Sequence, residues 1–476
     1  MRQQRWTGTR LGIALGLALI FGLALAGPAR AQAPSLTKQA ELTLNRLGEF
    51  GRAAALSADG RTALVAAELS PDCPGPSPRG CTIGYVYVLR SGAWSLQGTL
   101  DLPTIEGNDF YNPAVSLSED GSTALVGLRN RDCGPLQDAC GSALFFVRSG
   151  ETWSLRQEIR AADAAELDVF GASVSLSGDG SVALVGAPWK NCAQELCGAA
   201  YVFSQIGGLW LQTAKMTASD EGFHESFGNA VSLSRDGATA LIGAHSDARD
   251  DGQCAAPYRC GAAYVFTAQG NAWHEDQKLV ASNATTNDLF GFSVALSGDG
   301  STAAIGNLGV QRGDTYVFTR TGGVWAEQQI LPHPPSPYFG FSVGLSHTGD
   351  TLLVGDIFGG PFCSPDFCRP ARLFQKQGAT WTEIQAFYGS DPHGGNSLFG
   401  HAVGISGSGR TVIVGSPAQY CSGGPNDGSS GCGAAYLFGA FSAPSIAEVP
   451  AVSPLGLAML ALLLAASGLY AAAWRH

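Results

Sequence analysis

Five aspartates sit in one short phrase that returns at intervals of about sixty residues: Asp59 in "SADG", Asp120 in "SEDG", Asp179 in "SGDG", Asp236 in "SRDG" and Asp299 in "SGDG". Carboxylates in glycine-bearing loops are what calcium sites are built from, but calcium takes roughly six to eight oxygens at once. Each phrase offers one aspartate, only the second adds Glu119, and the matching "SHTG" and "SGSG" offer no acid. Asp-Gly also suits a tight hairpin, because both residues tolerate positive φ. The turn is the reading adopted, and no metal is assigned to these loops. A denser acidic run lies in "HSDARDDGQC", where Asp247, Asp250 and Asp251 form a candidate cation site; solvated loop acids are the alternative.

Sulfur is the second chemistry on offer. The 12 cysteines fall into local pairs: Cys73/Cys81, Cys133/Cys140, Cys192/Cys197, Cys254/Cys260, Cys363/Cys368 and Cys421/Cys432. No C-x-x-C occurs, so zinc is disfavoured, and an even count with one pair per loop predicts disulfides. Closing loops of this size contributes roughly 2–3 kcal/mol each in the chain-entropy view. Catalytic patterns are missing: there is no G-x-S-x-G, H-E-x-x-H or P-loop, and the eight histidines are scattered. No catalytic residue and no cofactor is assigned. Arg312-Gly313-Asp314 spells a cell-adhesion tripeptide, but Gly313 occupies the repeat's own glycine and Asp314 the root of the third strand; Asn283-Ala284-Thr285 matches a glycosylation acceptor, to which no weight is given.

These residues must be positioned by something, and the chain shows what. "FGASVSLSGDGSVALVGAP" at 170–188 has counterparts beginning at Phe50, Phe110, Phe227, Phe290, Phe339 and Phe399. Each unit reads as an alternating run, a polar turn, a "TALVGA" run, a variable loop, "CGAAYVF", a glycine turn and a Trp-led stretch. Four period-two segments are four antiparallel strands, and seven such units predict an all-β, seven-bladed β-propeller over 32–441. The seventh unit lacks the Trp-led strand. Ahead of the first unit, however, Leu36 and Leu42 keep the six-residue interval that separates each Trp from a large apolar residue. The N-terminal segment is therefore expected to complete the last blade. The Phe of each "FG" is expected between neighbouring blades, with the Gly allowing close backbone approach.

The unit "FG-x-SV-x-LS-x-DG-x-TALVGA … GAAYVF" resembles the FG-GAP repeat, in its bacterial secreted form, related to the propeller of integrin α subunits. The resemblance implies a propeller. It implies little about activity, because one fold hosts many functions. In the integrin-type repeat the turn after the first strand carries calcium, and this chain departs from that pattern.

In a four-stranded blade the second-to-third loop and the link to the next blade share one face. That face carries the cysteine pairs, and its links carry Asp109, Asp163, Asp168, Asp220, Glu221, Asp288 and Asp391, the expected binding residues. Long loops held on a rigid frame lose little ordering entropy on binding.

Residues 1–31 have the basic start, apolar run and Ala-Arg-Ala site of a secretory signal. Losing its four arginines moves the net charge from −11 to −15. An acidic surface argues against nucleic acid as a partner. A Pro-rich linker is read at 442–454 and a transmembrane helix at 455–473, with Trp474 at the interface and Arg475 on the cytoplasmic side. The segment resembles an IPTL-type C-terminal sorting tail, which implies envelope association, with release if the tail is processed. The expectation is an exported, envelope-anchored protein that binds an extracellular protein or glycan, in surface recognition or adhesion. A polysaccharide- or peptide-cleaving enzyme and a passive structural surface protein are the alternatives.

Overall fold

Each Ser-x-Asp-Gly phrase closes a hairpin, and its aspartate is used by the turn itself. Ser57 Oγ donates to Asp59 Oδ1 at 2.6 Å, and the Arg61 N–H donates to the same oxygen at 2.9 Å. The Thr62 N–H then donates to Ser57 Oγ at 2.9 Å, and Gly60 takes φ +68°. The serine-to-aspartate bond recurs at Asp120, Asp179, Asp236 and Asp299, at 2.6, 2.7, 2.6 and 2.5 Å. In "SHTGD" the role passes to Asp350, which accepts from Ser346 at 2.9 Å. These carboxylates belong to the turns.

The computed structural model describes residues 35–440 except 45–47, 70–80, 103–111, 134–138, 193–195, 221–225, 248–258, 271, 310–312, 334–335, 358–369, 391–396 and 420–430. The leader, linker and membrane helix expected from the sequence lie outside them. Among the described residues no helix is long and apolar enough to cross a membrane.

The strands form seven four-stranded antiparallel sheets, one per repeat. Blade three is typical: Ser173–Leu176, Val182–Ala187, Ala199–Ile206 and Leu209–Met216 pair in sequence order. Blade seven is made differently. Its three strands, Val403–Ile405, Thr411–Ser416 and Ala434–Gly439, take Thr37–Thr43 as the fourth, with Leu42 opposite Ala435. Backbone links between hairpin turns run around the axis, from Ala58 to Glu119, Gly178, Arg235 and Gly298, and from His347 through Gly407 back to Ala58. The ring is closed. The last strand ends on this turn face, where the Ala440 N–H donates to the Arg410 carbonyl at 3.0 Å.

A glutamine clamp fixes the outer rim. Gln157 on blade two accepts from the Trp210 N–H at 2.9 Å and donates to the Trp210 carbonyl at 2.8 Å, gripping blade three. Gln277 holds Trp325 and Gln329 holds Trp381 in the same way. Gln385 applies this grip to Leu36, at 2.8 and 2.6 Å. Leu36 therefore stands where the other blades have tryptophan, as its interval to Leu42 predicted.

Glycines set the distance between blades. Gly228 of the fourth "FG" adopts φ +90°, and a Cβ on Gly186 would lie 1.9 Å from its carbonyl oxygen. A Cβ on Gly198 would lie 2.2 Å from the neighbouring Phe227 carbonyl. The Phe227 ring, fully buried, meets Tyr264 and Phe266 edge-on at 5.4 and 6.0 Å and packs on Leu184 and Val202 of the preceding blade. The Phe thus lies between blades, as expected. Between blades one and two the sequence differs, with Ala66, Thr82 and Tyr111 where the other junctions carry mostly glycine.

Two outcomes follow for stability. Gly186→Ala is expected to destabilise by at least about 1–3 kcal/mol through overpacking, whereas Gly98→Ala, with nothing within 4 Å of a Cβ, is expected to be neutral; chemical denaturation measures both. Gln385→Ala removes the two bonds that hold Leu36 and is expected to cost about 1–3 kcal/mol, read as a lower melting temperature.

Candidate functional site: the loop face and its axial mouth

On the loop face the tyrosine of "GAAYVF" ties the inter-blade link to its blade in blades three, four, five and seven. Tyr201 donates to Asp163 at 2.8 Å, and Lys215 reaches the same carboxylate at 2.7 Å. In blade four, Tyr264 lies 2.8 Å from Asp220 and 2.5 Å from Asp247, while Lys278 bridges both acids at 2.6 and 2.8 Å. Tyr316 donates to Asn283 at 2.7 Å, which gives the asparagine of the Asn-Ala-Thr motif a role inside the fold. In blade seven Tyr436 pairs with Gln419, and the Ser390 N–H donates to Tyr436 at 3.1 Å.

Burial works against ionising Asp220, but the Lys278 and Tyr264 donors outweigh it and its carboxyl ends below the ordinary range. Asp163 follows the same course through Lys215 and Tyr201. Burial also opposes the charge on Lys278, and Asp247 and Asp220 more than restore it.

The sequence-predicted acids therefore divide. Asp163 and Asp220 stand half-exposed in ion pairs. Asp168 is buried; it accepts from the Ala165 N–H at 2.7 Å and from Lys190 at 2.8 Å. Burial raises its pKa despite that lysine. Asp288 is also buried, and it staples its own turn by accepting from Thr285 Oγ1 at 2.7 Å. Asp247 is fully buried, with the Lys278 ammonium 2.8 Å away. Asp109, Glu221, Asp391, Asp250 and Asp251 lie outside the described residues. Among the described residues, no group of three or more His, Cys, Asp or Glu is placed to hold a metal ion.

Disulfides join Cys133 to Cys140 and Cys192 to Cys197, across Cα separations of 5.6 and 5.9 Å. Cys260 and Cys432 are also disulfide-bonded. Their expected partners, Cys254 and Cys421, lie outside the described residues, as do Cys73, Cys363, Cys368 and the side chain of Cys81. Asp314 of the Arg-Gly-Asp triplet is buried, with His333 Nε2 2.9 Å from it.

The residue after each "FG" builds something the sequence reading did not single out. Arg52, Asn112, Ala172, Asn229, Phe292, Phe341 and His401 open the innermost strands and succeed one another around the axis. Arg52 Nε donates to Asn112 Oδ1 at 2.6 Å, and Asn229 donates to the Phe292 carbonyl at 3.2 Å. Phe292 and Phe341 lie 5.3 Å apart, and Phe341 and His401 5.0 Å. His401 Nδ1 donates to the Arg52 carbonyl at 3.1 Å and joins the end of this series to its beginning. Half of the mouth is aromatic, and the other half offers amides and a guanidinium. Only one signal was available: a column that varies between chemical types inside an otherwise repetitive frame.

The opposite mouth is bridged by side chains. Glu119 accepts from Arg235 Nε at 2.8 Å, and His347 Nδ1 lies 3.1 Å from it. These residues come from blades two, four and six, which are not neighbours, so they meet across the axis. Gly178 and Gly407 leave them room: a Cβ would lie 2.8 Å from Arg235 Cγ and 2.6 Å from His347 Nδ1 respectively.

Three segments match the FG-GAP repeat. They cover 153–203, 210–266 and 273–318, and each runs from one blade's tryptophan to the third strand of the next blade. The matched unit thus spans the glycine junction. Among solved structures, the chain is similar to the β-propeller domain of Myceliophteria thermophila Cps50 (Swd1), at 8% identity and TM-score 0.51, covering 84% of this chain and 99% of that one. It is also similar to U3-55K, at 10% identity and TM-score 0.50, covering 85% and 99%. At these identities the likeness concerns the fold alone. No curated protein sequence matches the chain.

The mouth has a pH signature. Burial, and secondarily the Arg259 and Arg52 charges, push His245 and His401 down to about 4. Unfolded, they titrate near 6.5, so between pH 6.5 and 4 the unfolded chain holds more protons than the folded one. Their contribution is complete above pH 6.5 and is lost as pH falls through about 4. His401→Gln is expected to flatten the fall in melting temperature across that window, measured by thermal unfolding in a pH series.

Proposed function

We propose that this protein is exported, held at the cell envelope, and captures extracellular glycan or protein ligands on the loop face, in surface recognition or adhesion. The observation that carries the reading is the asymmetry of the disc. One mouth is bridged by Glu119, Arg235 and His347, and the other presents Phe292, Phe341, Asn112 and Asn229 amid stapled loops. The frame does not need these side chains, because the same position accepts Ala172. Aromatic faces with amide donors at their edge suit ligands that combine apolar faces with hydroxyl or amide groups. Export and anchoring are supported by the leader and tail read in the sequence.

Capture of the full-length chain on glycan arrays and intact cells tests this. Asn112→Ala and Phe341→Ala are expected to weaken capture about tenfold, a shift of about 1.4 kcal/mol, with the fold retained. Leu96→Ser on the exposed outer rim is expected to leave it unchanged. Equal capture by all variants would remove the mouth from the proposal, and turnover of an offered polymer would favour an enzyme.

A further inference from the structure

Among the described residues, one cation on the loop face, Arg129, has no carboxylate partner. Arg129 follows the second strand of blade two, Thr123–Leu128, and is half-buried. Its guanidinium lies over the Trp189 ring of blade three, 5.5 Å from the centroid. Among the described residues no carboxylate pairs with it. The nearby charge that acts on it is another cation, Arg52, and burial together with that repulsion lowers its pKa. Arg52, by contrast, is paired with Glu49 and bonded to Asn112.

The frame does not require a cation there. The equivalent positions of blades three to seven hold Pro188, His245, Leu308, Ile357 and Pro417. A half-buried unpaired charge is held at a cost in stability. Stacking on an aromatic face leaves the edge of a guanidinium free to receive an oxyanion through two parallel bonds. Trp189 is 44% exposed, so the ring under the guanidinium is open to solvent, and Arg52, whose charge acts on Arg129, is bonded to Asn112.

We propose that Arg129, braced by Trp189 and backed by Arg52, is an oxyanion subsite that takes the carboxylate of a uronic-acid unit in an acidic polysaccharide. The proposal rests on the loop face being the binding face. A sugar fits better than an acidic peptide because pyranose faces stack on exposed aromatic rings while their hydroxyls bond to amides, and the mouth supplies both. The chain carries net charge −11, so this cationic spot gives a polyanion one defined point of attachment.

The test compares labelled oligogalacturonate with its neutral methyl ester, by fluorescence anisotropy on the full-length chain. The acid form is expected to bind about tenfold tighter than the ester, with an advantage that shrinks as salt rises. Arg129→Gln is expected to abolish the difference and Arg129→Lys to retain part of it, while Arg129→Gln melts no lower than the parent. Three results would overturn the subsite: an acid form no tighter than the ester, an Arg129→Gln protein indistinguishable from the parent, or poly-glutamate bound as tightly as oligogalacturonate. If both sugar forms bind equally and Asn112→Ala abolishes both, the subsite fails and the loop-face reading stands. If neither binds, the subsite fails, and the loop-face reading is decided by the array and cell capture.

Discussion

The contact between glycine backbones at the blade junctions is the constraint from which the rest of the molecule follows. A carbonyl that approaches within about 2 Å of where a Cβ would stand leaves no side chain possible on the facing residue, and six junctions share that approach. Such closeness brings the phenylalanine of each "FG" onto the third strand of its own blade and the second and third strands of the blade before. It also fixes the angle between sheets, so the number of repeats and the closure of the ring are two expressions of one local geometry.

Closure then needs an outer strand that the seventh repeat does not contain. Leu36 and Leu42 supply it, and Gln385 treats Leu36 as its neighbours treat a tryptophan. The glutamine recognises backbone rather than side chain, which is why leucine can stand in. Hydrogen bonds at the rim hold four junctions, glycine contacts midway hold six, and linked turns near the axis join six.

Much of this architecture was legible in the residues. The seven returning phrases, six of them "FG" and one Phe110-Tyr111, the four-segment order and the interval from Leu36 to Leu42 sufficed for blade count, strand order and closure, because each is a property of spacing. The side-chain chemistry of the loop face was less legible. That Asp168 would be buried under Lys190, or Asp247 under Lys278, depends on lysines 22 and 31 residues further along the chain returning to the same link, and no periodicity encodes that return. The axial ring was hidden for a different reason. Arg52, Asn112, Phe341 and His401 belong to no motif, and their common address appears only when the repeats are placed around one axis.

The hydrogen bond from Ala440 to Arg410 gives the disc a heading. The polypeptide leaves the ring on the side of the short aspartate-glycine hairpins, opposite the stapled loops. The proposed anchor would therefore follow from the hairpin side, and the aromatic and amide-lined opening lies on the other.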